Sequence, residues 1–99
     1  MSQLVMEGKR RSKLMFVKVA VFDDRVEIKR PVLPVKTMMR DEITSWTEIN
    51  KKLNTGLTWT EFTFFTAKTK YTLNSLHWQN YAEIRDLISD GKPRDVEKE

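Results

Sequence analysis

From Leu57 to Thr66 the chain places four threonines and four aromatic residues in ten positions, with no glycine or proline. That composition suits a pleated sheet and disfavours a helix. Asn54-Thr55-Gly56 stands immediately before it, glycine supplying the positive φ that a tight reversal needs. Any fold open to this chain must therefore build a sheet around that segment. The phase of the segment slips, because Leu57 and Trp59 share one parity and Phe62 and Phe64 the other. This predicts a bulge or sharp bend near Thr60-Glu61 that turns both aromatic sets toward the core.

The remaining strands follow from alternation. Leu14 to Phe22 reads as one strand, with Met15, Val17, Val19 and Val21 on a single face. Asp23-Asp24 opens a turn, and Arg25 to Arg30 alternates with Val26 and Ile28 inward, which makes a hairpin. Pro31 and Pro34 cannot donate to a ladder, so Pro31 to Pro34 is a strand end, an edge or a bulged crossing before a third strand over Val35 to Arg40. Asp41 to Trp46 is a polar bend with two apolar anchors, Thr47 to Leu53 a fourth strand, Ala67 to Lys70 a polar connection, and Tyr71 to Leu73 a last short strand.

At Asn74-Ser75 the period changes. Trp78, Tyr81, Ala82, Ile84, Arg85, Leu87 and Ile88 recur at three- and four-residue spacing, which predicts one amphipathic helix capped at Asn74 or Ser75. Gly91 and then Pro93 end it. At 99 residues the chain suffices for one domain and not two, and its ten Phe, Trp and Tyr residues can supply a core despite 32% charged side chains. The division predicted is a flexible basic arm over 1–12, a domain over 13–92, and a frayed charged tail over 93–99.

The net charge is +4, and residues 1–13 alone carry four basic groups and one acid. Most of the excess thus belongs to the arm, which weakens any reading in which the body was shaped around phosphates. The basic-then-apolar run from Lys9 to Val17 fails as a secretory signal because Lys18 interrupts it and no small-residue cleavage pattern follows. No apolar run approaches the ~20 residues of a membrane span. A soluble, cytoplasmic protein is expected. The chain has no cysteine, which excludes disulfides and thiolate chemistry, and a single histidine, which excludes a two-histidine centre within one chain.

Six or seven short antiparallel strands followed by one terminal helix bearing Trp78 resemble the pleckstrin-homology (PH)-like superfold, in particular its small bacterial members. The resemblance rests on the early hairpin before Arg40-Asp41-Glu42-Ile43-Thr44-Ser45-Trp46 and on the passage Leu73-Asn74-Ser75-Leu76-His77-Trp78-Gln79-Asn80-Tyr81 into the helix, and it covers residues ~13–92, a single-domain span. It implies a mainly β fold, an antiparallel barrel or two bent sheets of six to seven strands, capped by the C-terminal helix. An amphipathic helix with Trp and Tyr can plug the open corner that two such sheets leave.

Asp23-Asp24 and Asp41-Glu42 lack the spacing of a hard-cation loop and read as turns. His77 has neither a second histidine nor a Ser/Asp partner in the pattern, and Gly8, Gly56 and Gly91 form no phosphate-binding motif. No enzyme, cofactor or metal site is expected. In lipid-binding PH domains, basic residues flank a long loop between the first two strands. Here that loop reads as Asp23-Asp24, short and acidic, so specific phosphoinositide binding is disfavoured. Lys29, Arg30, Lys36 and Arg40 read as a solvated outer strand face that blunts edge pairing. Trp46, Trp59, Phe62, Phe64 and Tyr71 have the chemistry to stack nucleobases, although a domain this small needs them in its core.

The function expected is a non-catalytic interaction module that binds a protein or peptide, or self-associates, through a strand edge or the groove beside the helix. The alternative is weak electrostatic binding of an anionic lipid surface or nucleic acid through the arm. The candidate contact residues are Lys9, Arg10, Arg11, Lys13, Lys29, Arg30, Lys36 and Arg40.

Overall fold

The computed structural model describes residues 3–12 and 16–99. Seven strands and one helix follow in order: β1 (Leu4–Glu7), β2 (Lys18–Phe22), β3 (Arg25–Arg30), β4 (Leu33–Met39), β5 (Ser45–Lys52), β6 (Thr58–Phe65), β7 (Lys70–Asn74) and α1 (Tyr81–Ser89). They form two antiparallel meanders, a four-stranded sheet in the order β1-β2-β3-β4 and a three-stranded sheet in the order β5-β6-β7. Among the described residues no closed barrel forms. The mainly β class with one C-terminal helix holds, in its two-sheet form.

Period-two burial explains the first sheet. Val19, Val21, Val26, Ile28 and Met38 turn to one face and are buried, and their partnering follows the ladder, with Val19 opposite Ile28 and Val21 opposite Val26. In the second sheet Phe62, Phe64 and Leu73 do the same. Helix α1 lays Tyr81, Ile84 and Ile88 into the space between the sheets, the three- and four-residue spacing of one helical face. Each fully buried side chain of this size contributes about 1.5–3 kcal/mol.

Four expectations need correction. The bulge near Thr60-Glu61 is absent: β5 and β6 pair without a break from Ser45–Phe65 to Lys52–Thr58. Trp59 instead stays on the other face from Phe62 and Phe64, where its indole Nε1 donates to Glu61 Oε2 at 2.9 Å. A tryptophan whose polar tip is satisfied there need not turn inward.

The helix starts at Tyr81, later than predicted. Asn74 Oδ1 accepts from the Leu76 amide at 2.8 Å, an Asx-type turn that competes with a helical start. The following backbone is taken by the N-terminal segment, for the Arg11 amide donates to His77 O at 3.0 Å and the Gln79 amide to Lys9 O at 2.7 Å. Trp78 is buried from an isolated antiparallel bridge with Arg10, and not from a helix.

Within the stretch expected as a flexible arm, Leu4–Glu7 is strand β1, pairing Leu4 with Phe22, Met6 with Val21 and Glu7 with Ala20 across one irregularity. The Gly8 amide extends the pairing to Val19 O at 2.8 Å. The outward backbone groups of β2 require a partner, and β1 provides it. Lys13, Leu14 and Met15, which the sequence reading gave to the arm and to the first strand, lie outside the described residues.

The tail over 93–99 is also docked. Arg94 forms a parallel bridge with Trp46, and Val96–Lys98 makes a short 3-10 turn. The predicted helix end stands, with Gly91 at φ 72°.

Candidate functional site

Because β1 precedes β2 in the sheet, the connection between the first two strands holds, among the described residues, 8–12 and 16–17, and it is not Asp23-Asp24. It carries Lys9, Arg10 and Arg11. Antiparallel order places this loop and the β3–β4 turn at one end of the four-stranded sheet, while Asp23-Asp24 lies at the other. The premise that a phosphate near this loop would meet like charge therefore no longer applies.

Three features meet at the loop end. The first is a pair of like charges: Lys18 and Lys29 are direct cross-strand partners on the face away from Val19 and Ile28, and both are exposed. Like charges opposite one another in a sheet repel. A groove of about 300 Å³ runs past them, lined by Glu7, Gly8, Arg10, Lys18, Glu27 and Lys29 among others. The Glu27 carboxylate in it accepts from Arg25 Nε, and the other charges lining the groove are those of Glu7, Arg10, Lys18 and Lys29, three cations to one anion.

The second feature is the β3–β4 turn. Val32 has φ 54° and a fully exposed side chain, and a β-branched residue in that region is strained by about 1–3 kcal/mol. Leu33 beside it is exposed as well. Arg30 holds the turn from below, its guanidinium donating from Nη2 to Pro34 O at 2.9 Å, while its Nε is the one buried polar side-chain atom without a partner among the described residues. The third is Phe16, exposed in the β1–β2 connection. The register Lys18–Lys29 runs the chain before Lys18 toward Pro31 and Val32.

The eight candidate residues thus divide. Lys9, Arg10 and Arg11 sit in the β1–β2 loop, with their backbone laid against residues 77–80: the Lys9 amide donates to Asn80 Oδ1 at 2.8 Å, and Asn80 Nδ2 donates to Glu7 O at 2.9 Å. Lys29 is on the outer face. Arg30 and Lys36 are not on a solvated outer face, for Lys36 stands opposite Ile28 and its Nζ donates to Lys70 O at 2.8 Å in the second sheet. Arg40 is a structural tie, its guanidinium donating to Phe22 O at 3.3 Å and Leu87 O at 2.8 Å. Lys18, absent from the eight, is what pairing across the sheet adds beside Lys29, and in the sequence it stands out as the one polar side chain in an apolar strand.

Other candidates resolve simply. Phe62 and Phe64 are buried and stack on each other at 5.7 Å between ring centroids, so the aromatics do not present one nucleobase surface. Asp23 accepts the Gln3 amide at 3.0 Å, and that hydrogen bond holds its carboxyl below the usual range. His77 is exposed. One partly buried polar cluster was not foreseen: Tyr81 Oη donates to Glu48 Oε2 at 3.0 Å, and Arg85 Nη1 donates to the same oxygen at 3.1 Å. Burial, then the Glu48 carboxylate, pushes the Tyr81 phenol well above its ordinary value, so it stays protonated and ties α1 to β5. Among the described residues no cluster of three His, Cys, Asp or Glu could hold a metal ion, and no helix is long and apolar enough to cross a membrane.

Compared with protein-family models, with curated proteins and with solved structures, the chain matches none.

Proposed function

We propose that the protein is a non-catalytic PH-like interaction module that docks on an anionic phospholipid surface with the loop end of its four-stranded sheet. The observation that carries this reading is the juxtaposition there of the Lys18–Lys29 pair with the exposed apolar tip Val32-Leu33. Cations near an anionic leaflet contribute about 1 kcal/mol each. Exposed apolar side chains rimmed by them suit the headgroup–acyl boundary, which nucleic acid does not offer. The PH-like reading is supported by the order of the fold, four strands, then three, then one helix packed between the sheets.

Co-sedimentation with vesicles tests it. Binding to phosphatidylcholine vesicles containing phosphatidylserine, weakening as salt rises and absent on phosphatidylcholine alone, is expected. Equal binding to both vesicle types, or binding to neither, overturns the reading.

A second reading, protein or peptide binding or self-association at a strand edge, is favoured by β1. Its Leu4 and Val5 are exposed on the edge strand of the four-stranded sheet, beside a groove of about 710 Å³ completed by Gln79 and Asn80 before α1 and by Glu83 within it. Dimerisation seen by sedimentation and abolished by Val5→Lys would support it, and a strict monomer at high concentration would count against self-association there.

A further inference from the structure

The outer edge of β5 is filled by the chain's own tail. The Trp46 amide donates to Pro93 O at 3.2 Å, and the Asp95 amide donates to Trp46 O at 2.7 Å. Two residues on, the Glu48 amide donates to Glu99 Oε2 at 2.9 Å, and Arg94 Nη2 donates to Glu48 O at 3.0 Å. All four outward backbone groups of Trp46 and Glu48 are therefore engaged. Side chains repeat the recognition: Trp46 Nε1 donates to Lys92 O at 3.0 Å, and the Arg94 guanidinium lies 5.5 Å from the Trp46 ring centroid while pairing with Glu99 at 2.8 Å.

The tail is held by polar groups at the surface. Arg94 and Val96 are exposed, so little apolar area is buried on docking, and exposed ion pairs contribute about 0–1 kcal/mol each. Segments anchored in this way open locally without unfolding the sheet they cover. Once it leaves, β5 presents unpaired amides and carbonyls beside a half-buried indole, an edge that recruits another strand.

We propose that the edge of β5 from Trp46 to Glu48 is a peptide-acceptor site, occupied in cis by residues 93–99. Its occupant in trans is an extended peptide of the same chemistry. That peptide pairs its backbone with Trp46, sets a cation on the indole face and brings a carboxylate to the Glu48 amide. The site lies on the other sheet from the loop end and does not depend on lipid binding.

The test uses the 99-residue chain carrying Asp95→Pro, which removes the amide that donates to Trp46 O, and a synthetic peptide of the sequence of residues 92–99. Calorimetry should show the variant binding this peptide at least about tenfold more tightly than the unsubstituted chain, whose own tail competes. A variant with unchanged circular dichroism that does not bind the peptide, or equal binding by both chains, overturns the proposal. Native-state hydrogen exchange on the unsubstituted chain provides a check independent of the variant. The Trp46, Glu48 and Asp95 amides should exchange at least about tenfold faster than those of Thr47 and Ile49, which by strand alternation face β6. Exchange of all five together would mean that the tail leaves only on unfolding, and would overturn it.

Discussion

Gly8 lies flat against the ring of Trp78: a Cβ built on it would stand 2.6 Å from Trp78 Cε3 and Cζ3 and 3.3 Å from Ile84 Cδ1. This contact is where the first strand leaves the sheet and crosses to the segment before α1, so it fixes where the basic loop begins. Gly8→Ala must displace a buried indole or the strand. It is expected to destabilise the fold by about 1–3 kcal/mol in chemical denaturation, the usual cost of overpacking. An unchanged midpoint would show that the contact is looser than this.

Val32→Gly separates strain from function. Glycine adopts φ 54° freely, and the lost valine is fully exposed, so stability should be unchanged or raised by up to about 1 kcal/mol. Vesicle binding should fall at the same time, because the apolar tip is left with Leu33 alone. Loss of both stability and binding would assign Val32 a structural role instead.

Arg40→Ala has the opposite profile. The guanidinium joins the end of β2 to the end of α1 through Phe22 O and Leu87 O, and hydrogen bonds from a charged donor are worth about 1.5–3 kcal/mol. The variant is expected to lose stability of that order while the folded fraction binds vesicles as before. A selective loss of vesicle binding with normal stability would return Arg40 to the contact surface.

Acid should loosen both termini. The Arg94 guanidinium, and then the Glu48 amide, hold the Glu99 carboxyl below the usual range, as the Gln3 amide does for Asp23. A carboxyl with a lowered folded pKa stabilises its contact above the unfolded value, roughly 4, and that stabilisation is lost as pH falls through the folded value. Hydrogen exchange, corrected for its intrinsic pH dependence, should show protection of the Trp46 and Glu48 amides falling below about pH 4 while Thr47 stays protected. Protection of Trp46 unchanged down to about pH 2 would contradict the role given to Glu99.

What could be read from the sequence was local. Val26 and Ile28, the turn at Asp23-Asp24 and the glycine at position 56 all follow from alternation and turn chemistry within a few residues. What could not be read depended on partners far along the chain. Leu4-Val5-Met6-Glu7 is too short to announce a strand, and becomes one by pairing with Ala20 to Phe22. That pairing turns an apparent basic arm into the loop between the first two strands, and so moves the candidate site. Trp78 sits three residues before Tyr81, as in a helix, yet is buried from a bridge with Arg10. The slipped phase of Trp59 is no bulge because Glu61 satisfies its indole on the other face. The tail resembled a frayed end because its anchors, Trp46 and Glu48, are more than forty positions away.

If the loop end docks on phospholipid as proposed, affinity depends on where the cations stand and not on net charge. Lys18→Glu with Lys29→Glu reverses two charges there, while Lys51→Glu with Lys52→Glu makes the same change in total charge at exposed positions on β5. Affinities for vesicles containing phosphatidylserine, measured at one salt concentration, compare the two. A loss of at least about tenfold is expected for the first pair and a much smaller loss for the second. Equal losses would contradict the proposed docking.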